Sequence, residues 1–480
     1  MNDMAWRLRR HGQTAPTLVR SMSSHPIPAP ATPRPAGDRW AVDRHWDLLL
    51  GCVAVHIAFS VGRLHELFPV FWPLKPALVS SLLAVGLYLM QQHGPRRIYW
   101  LRAATTTYVL LLLLWAALSV PGALHQGVAF RMVTDGFIKT VLMYLVIIGS
   151  GRGFRDVEQL AFAYLAAATV FAATVLARFQ VSDSSWRLGH LYFTYDANDF
   201  ATFAVSAIPL ALYFTLAERR LSRRLLGASG IATLVVAFVW SGSRGGFLAM
   251  LAMAAFLLFR YTMLRARWRI LGTAVIAAIF VTTASDRYWT QMGTILKPSE
   301  DYNLTVENGR ERIWRRGAGY MLSHPLFGVG ADNFGVAEGT ISYLARLQER
   351  GIGVRWNAPH NSFLQAGAEL GIPGLFFLLA VVGTAFRSLG RVERLGVVSS
   401  RHQRGPPALA QSLKTSLVGF VVGAFFLSLA YSEMLYALVA LAVALGKVMS
   451  FDEHVARGSS WYGTNAAQPR YLRSIGDPRP

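Results

Sequence analysis

FATFAVSAIPLALYFTLAERRLSRRLLGASGIATLVVAFVWSGSRGG, residues 200–246, sets two long apolar runs on either side of one short basic patch. Neither 200–217 nor 225–243 contains an Asp, Glu, Lys or Arg. A helix needs about 20 mostly apolar residues to cross the hydrocarbon core of a bilayer. Each run approaches that length, and the ERRLSRR between them (218–224) has the arginine richness of a cytoplasmic turn. The pattern recurs at 48–62, 76–95, 103–130, 159–177, 245–259, 270–285, 370–386, 415–432 and 434–446. Residues 131–149 are apolar apart from Arg131, Asp135 and Lys139. Runs that fall short can be completed by snorkelling of flanking arginines. The expected fold is all-α, a polytopic membrane protein of about twelve transmembrane helices. The last two, separated only by Glu433, are expected to form a tight hairpin or one broken helix.

The composition of the whole chain agrees. Of its 480 residues, 53% are apolar and 15% charged, where a soluble domain carries about 25% charged residues. That excludes a soluble multidomain enzyme. The net charge of +21 does not point to nucleic acid, because the basic residues punctuate apolar runs instead of clustering on a polar domain. Cys52 can make no internal disulfide and no metal site. With the N-terminus inside, the short inner loops collect eighteen Lys and Arg; the short outer loops hold six: Arg63, Lys75, Arg131, Arg178, Arg187 and Arg244. This bias puts both termini in the cytoplasm. Residues 1–46 read as a disordered cytoplasmic tail without a cleavable signal peptide, Met22 being an alternative start. Residues 451–480 read as a second disordered tail. Between them, 47–450 form the membrane domain, with one long outer loop at 286–360. Long loops are uncommon unless functional, so the chemistry is sought there.

Four stretches carry candidate groups, each with two readings. In SGSRGG, 241–246, Arg244 sits on the outside against the topological bias. It can grip a phosphate bidentately or merely snorkel beside a glycine turn. In 308–330, residues 310–322 form a helix that stops before Pro325, with Arg310, Trp314, Gly317 and Met321 on one face. Arg310 there binds an anion or pairs with Glu307 or Glu311. Arg312, Arg315 and Arg316 point elsewhere, towards solvent or headgroups. In 357–374, His360 is a general base at the water–lipid boundary or an interfacial histidine bound to a loop carbonyl. Asn361 or Ser362 can cap the helix that follows. Arg131, Asp135 and Lys139, spaced i, i+4 and i+8, form a self-satisfied pair with a flanking Arg or a cationic wall. In YDANDF, 195–200, Asn198 and Asp199 cap a helix or bind sugar hydroxyls. Several cationic groups on one side suit a diphosphate, a good leaving group that needs charge neutralisation more than a general acid.

SRGGFLAM (243–250), GRERIWRRGAGYMLSHPLFGVGADNF (309–334) and PHNSFLQAGAELGIPG (359–374) together resemble the bacterial O-antigen ligase and O-antigen polymerase superfamily. The likeness is strongest over about 230–385. It implies a C-type membrane glycosyltransferase of the inner membrane that works at the periplasmic face without metal, nucleotide sugar or other cofactor. The donor would be a glycan on undecaprenyl diphosphate. The acceptor would be lipid A–core in a ligase, or the next lipid-linked repeat unit of O-antigen or exopolysaccharide in a polymerase. A chain-length regulator is a further expected partner, and nucleic acid is not. By the resemblance Arg244 and Arg310 hold the diphosphate and His360 activates the acceptor hydroxyl. Lys139 and Arg131, which no motif of the family covers, are read from their charge alone as assisting on the donor side, and Asn361, Asp199 and Trp314 as contacting the acceptor or supporting the site. Single displacement by a hydroxyl implies inversion at the anomeric carbon. A flippase or exporter of lipid-linked oligosaccharide is the rival, but no internal repeat supports it.

Overall fold

The computed structural model describes residues 46–178, 195–218, 220–262, 264–297, 309–345, 357–398 and 405–464. The N-terminal tail through residue 45, Arg187, Arg219, Glu307, Arg401, Arg404 and the residues after 464 lie outside them. Among the described residues every regular element is helical. In chain order the apolar helices are α1 (Leu48–Ser60), α2 (Pro76–Met90), α3 (Ala104–Ser119), α4 (Gln126–Ser150), α5 (Phe154–Arg178), α6 (Ala197–Ala217), α7 (Leu221–Ser241), α8 (Arg244–Arg260) and α9 (Ala266–Thr283). The loop that follows contains α10 (Asp286–Gly293), α11 (Arg310–Ser323) and α12 (Phe334–Thr340). The chain returns through α13 (Ser362–Val398), α14 (Pro406–Ala424) and α15 (Glu433–Thr464). Eight of these helices, α3–α7, α9, α13 and α15, are long and apolar enough to cross a membrane.

The outward faces carry the solvent logic of a bilayer. Leu82, Leu83, Ile270, Leu271, Val275 and Val281 are exposed large apolar side chains on α2 and α9, a contiguous exposure that water would disfavour. The centre is made by α6 and α15, most of whose residues are buried. Small residues let neighbours approach α6: a Cβ on Gly246 of α8 would lie 2.6 Å from that of Ala201, the close backbone approach on which packing in lipid depends.

Three expectations are corrected. The last two apolar runs form neither a tight hairpin nor one broken helix: α14 ends at Ala424, and residues 425–432 separate it from α15. The polar tail after Phe451 is helical to Thr464, and Phe451 and His454 at its start pack edge-on against Trp100, at 5.1 and 6.2 Å between ring centroids. The stripe on α4 is interrupted by a π turn over Met132–Phe137. Such a turn inserts an extra residue, so the regular i, i+4, i+8 spacing does not hold along it, although Lys139 still reaches Asp135 at 3.8 Å.

At one end of the bundle Arg96, only 2% exposed, pairs with Asp47 at 2.6 Å. Beside it the Lys447 amine donates to the carbonyls of Ile148, Gly151 and Pro95. Buried cations survive only when satisfied in this way. The opposite end is organised by a break in α13. Gly371 has φ +70°, a left-handed conformation that a Cβ opposes; a Cβ there would also meet the Leu326 carbonyl at 2.4 Å. The break frees backbone groups that must find partners, and the loop after α11 supplies them. Val329 and Gly330 N–H donate to the carbonyls of Ala368 and Glu369, both at 2.9 Å, and Ile372 N–H donates to Pro325 O at 2.8 Å. Trp115 of α3 closes the joint, its indole N–H donating to Leu326 O and Leu370 O. The HPLFGVG and ELGIPG segments thus interlock as one rigid seat for the elements above them.

Candidate functional site

His360 lies two residues before the start of α13 and has φ +47°, a backbone conformation uncommon for a residue with a Cβ. Its N–H donates to Ser428 Oγ at 2.9 Å. Ser428 belongs to the 425–432 connection, which is fastened along one face of α13 by residues at i, i+3 and i+7. Ser362 Oγ donates to Leu427 O at 2.7 Å and accepts from Leu429 N–H at 2.8 Å. Gln365 Oε1 accepts from Ala430 N–H at 3.2 Å, and Glu369 Oε2 accepts from the Tyr431 hydroxyl at 2.9 Å. The strained histidine is therefore held on both sides by elements that cannot shift independently.

His360 lines a cavity of about 420 Å³ where the ends of α1, α6, α13, α14 and α15 converge, α4 contributing Met132, Asp135, Gly136 and Thr140. Burial, followed by the positive charge of Arg310, lowers its pKa below the ordinary histidine value, and Asp196 opposes both. The imidazole is thereby favoured in its neutral, proton-accepting form. Across the cavity stands Arg63, beside Glu66 at 3.8 Å and over the Tyr195 ring at 5.5 Å. Tyr195 donates to Val61 O at 2.9 Å, so the end of α1 and the start of α6 are joined.

Arg310 begins α11, which runs to Ser323, one residue beyond the expected 310–322 and still short of Pro325. The face it shares with Trp314 packs inward. The Trp314 indole N–H donates to Pro359 O at 3.0 Å, next to His360, and its ring meets Phe425 and Phe426 at 5.4 and 6.4 Å. A Cβ on Gly317 would strike Leu364 of α13. Phe426 is also what a Cβ on Gly245 would meet, at 2.8 Å. A continuous chain of contacts therefore joins the start of α8, where Arg244 lies, through Phe426 and Trp314 to His360. Arg244 Nη1 donates to Thr294 Oγ1 at 2.8 Å, and Gln291 donates to Gly242 O at 2.8 Å, which moors α10 over the same turn.

Other expected residues take different places. Asn361 caps α13, accepting from Phe363 and Leu364 N–H at 3.0 Å each, so it supports the site. Asp196, not Asp199, caps α6, and Asp199 closes the capping box while also lining the cavity. Lys139 pairs with Asp135 at 3.8 Å, with both side chains more than half exposed; Arg131 is exposed as well. Arg315 pairs with Glu311 at 3.3 Å in the open. Arg316 departs from the solvated set: it grips fully buried Glu338 of α12 with Nε at 2.8 Å and Nη2 at 2.6 Å. Wheel geometry cannot see that partner, because α12 folds back over α11. Arg63, Tyr195, Asp196, Ser428 and Tyr431 were missed as cavity residues. Arg63 carried the same signal as Arg244, an arginine in a loop expected on the outer side against the bias. Ser428, Ser432 and Glu433 showed only as polar breaks at the end of an apolar run.

An all-helical membrane protein with a loop-borne histidine set beside arginines at one end of its bundle is the class that fold and site define. Residues 229–379 match the family model for O-antigen ligase, a stretch that takes in the SRGG turn, α11, His360 and the Gly371 break. Over that stretch the chain is similar to the O-antigen ligases. No curated protein matches the chain.

Proposed function

We propose that this protein is a membrane glycosyltransferase that moves a glycan from undecaprenyl diphosphate to an acceptor sugar hydroxyl at the periplasmic face of the bacterial inner membrane. In this reading α1, α2, α8 and α14 complete a set of twelve spans, and both termini are cytoplasmic. His360 takes the proton from the attacking hydroxyl as the oxygen–anomeric carbon bond forms. The carbon–oxygen bond to the diphosphate breaks in the same displacement, inverting the anomeric centre. Arg244 and Arg310 neutralise the charge that grows on the leaving diphosphate, a planar fork suiting its oxygens. No enzyme nucleophile and no metal is needed for such a step. Lys139 and Arg131 would at most attract the anionic donor from the rim.

The observation that carries the reading is His360 itself, held at φ +47° on the wall of a cavity and near enough to Arg310 for that charge to lower its pKa. The test is His360→Ala in cells lacking the native gene, with lipid-linked and surface glycans analysed together. Transfer should be abolished while protein level and donor binding persist. Single repeat units left on the carrier would identify a polymerase, and long carrier-linked chains a ligase. Full transfer by His360→Ala would overturn the mechanism, and donor stalled on the cytoplasmic side would favour a flippase.

A further inference from the structure

The cavity around His360 is chemically unlike the arginine side of the site. Its ionisable lining comprises the carboxyls of Asp196, Asp199 and Glu433, with Asp135 at the rim already paired to Lys139, against the guanidinium of Arg63 and the imidazole itself. Hydroxyls of Ser428, Ser432, Thr140, Tyr195 and Tyr431 are interspersed among them. Several of these groups are fixed from outside the cavity. Asp196 is held by the backbone N–H groups of Asn198 and Asp199 at 2.7 and 2.8 Å, Glu433 by the Ser60 hydroxyl, and Tyr431 by Glu369. The Nε of Arg63 is buried and has no hydrogen-bond acceptor among the described residues.

We propose that this cavity is the acceptor subsite and that its carboxyls select an uncharged, hydroxyl-rich sugar over one bearing phosphate or carboxylate. The inference rests on the reading of His360 as the base. Carboxylates only accept hydrogen bonds, and sugar hydroxyls are their natural donors; an anionic substituent would face like charges at close range. Arg63 donates in turn to a hydroxyl or ring oxygen. The same lining keeps the donor diphosphate out of this cavity and on the side of Arg310 and Arg244, so the two substrates approach His360 from opposite directions.

The test uses the full-length protein in lipid nanodiscs and a panel of methyl hexosides with their 6-phosphates. Binding is read by saturation-transfer NMR, and transfer is read with a polyprenyl-diphosphate glycan donor. At least one neutral hexoside should bind about tenfold more tightly than its phosphate, the effect of one charge-assisted hydrogen bond. In the isosteric variants Asp199→Asn and Glu433→Gln that preference should shrink, and acceptor KM should rise about tenfold with donor KM unchanged. Equal or tighter binding of the phosphates, the absence of any neutral binder, or a rise in donor KM alone would overturn the assignment. Neutral selectivity in binding without transfer from the donor would keep the subsite and remove the glycosyltransfer reading instead.

Discussion

Glu338→Ala should loosen the loop that carries Arg310 without touching the cavity. Glu338 has no exposed surface and accepts from Arg316 Nε, Arg316 Nη2 and the Tyr320 hydroxyl at 2.8, 2.6 and 2.8 Å. The Arg316 side chain is itself only 11% exposed, so the truncation strands a buried cation. Removing one partner of such a pair costs about 3–5 kcal/mol. At about 1.4 kcal/mol per tenfold, that is roughly two to three and a half orders of magnitude in the opening equilibrium of α11 and α12. Hydrogen–deuterium exchange of the full-length protein in nanodiscs measures this directly, as faster exchange over residues 310–340 with α6 and α15 unchanged. Glu338→Gln keeps the shape and one acceptor oxygen but not the counter-charge, so it should recover only part of the loss. Wild-type protection over 310–340 in Glu338→Ala would refute the view that this pair holds α11 in place.

Other outcomes follow from the same geometry. The acidic limb of the kcat/KM profile should lie below the ordinary histidine value, since burial and Arg310 both lower the His360 pKa. Residual activity in Arg310→Gln should show that limb moved to higher pH, because a charge opposing protonation is gone; an unmoved limb would disconnect the two residues. Arg244→Ala should raise donor KM, and Arg244→Lys should restore it only in part for want of the planar fork. Wild-type donor KM in Arg244→Ala would return the residue to snorkelling. Asn361→Ala removes an N-cap that serves two amides, a loss of about 1 kcal/mol, and a thermal melt should show a modest decrease.

The helical class was legible because the apolar runs are one-dimensional: hydropathy and charge punctuation need no knowledge of what each helix touches. The helix at 310–323 and its Arg310–Trp314 face were legible for the same reason, since 3.6-residue periodicity is local. The glycines of SRGG and GIPG were visible as motifs. Their causes, contact with Phe426 and the interlock with Pro325–Gly330, were not, because the partners are distant in sequence. The cavity shows the limit most sharply. Its lining comes from Arg63, Asp135, Asp196, His360, Ser428 and Glu433, residues from five separate stretches of the chain, and no periodicity relates those stretches. Asp199 could be named as a cap or a sugar contact from sequence, and its place in the capping box and cavity was decided only by how α6 begins beside α1. The amino-acid order determined that this chain lives in a membrane and which residues could carry charge at the ends of its helices. Tertiary packing alone determined which of those charges meet, because ion pairing and desolvation depend on three-dimensional distance, as the burial of Arg316 and the exposure of Lys139 demonstrate.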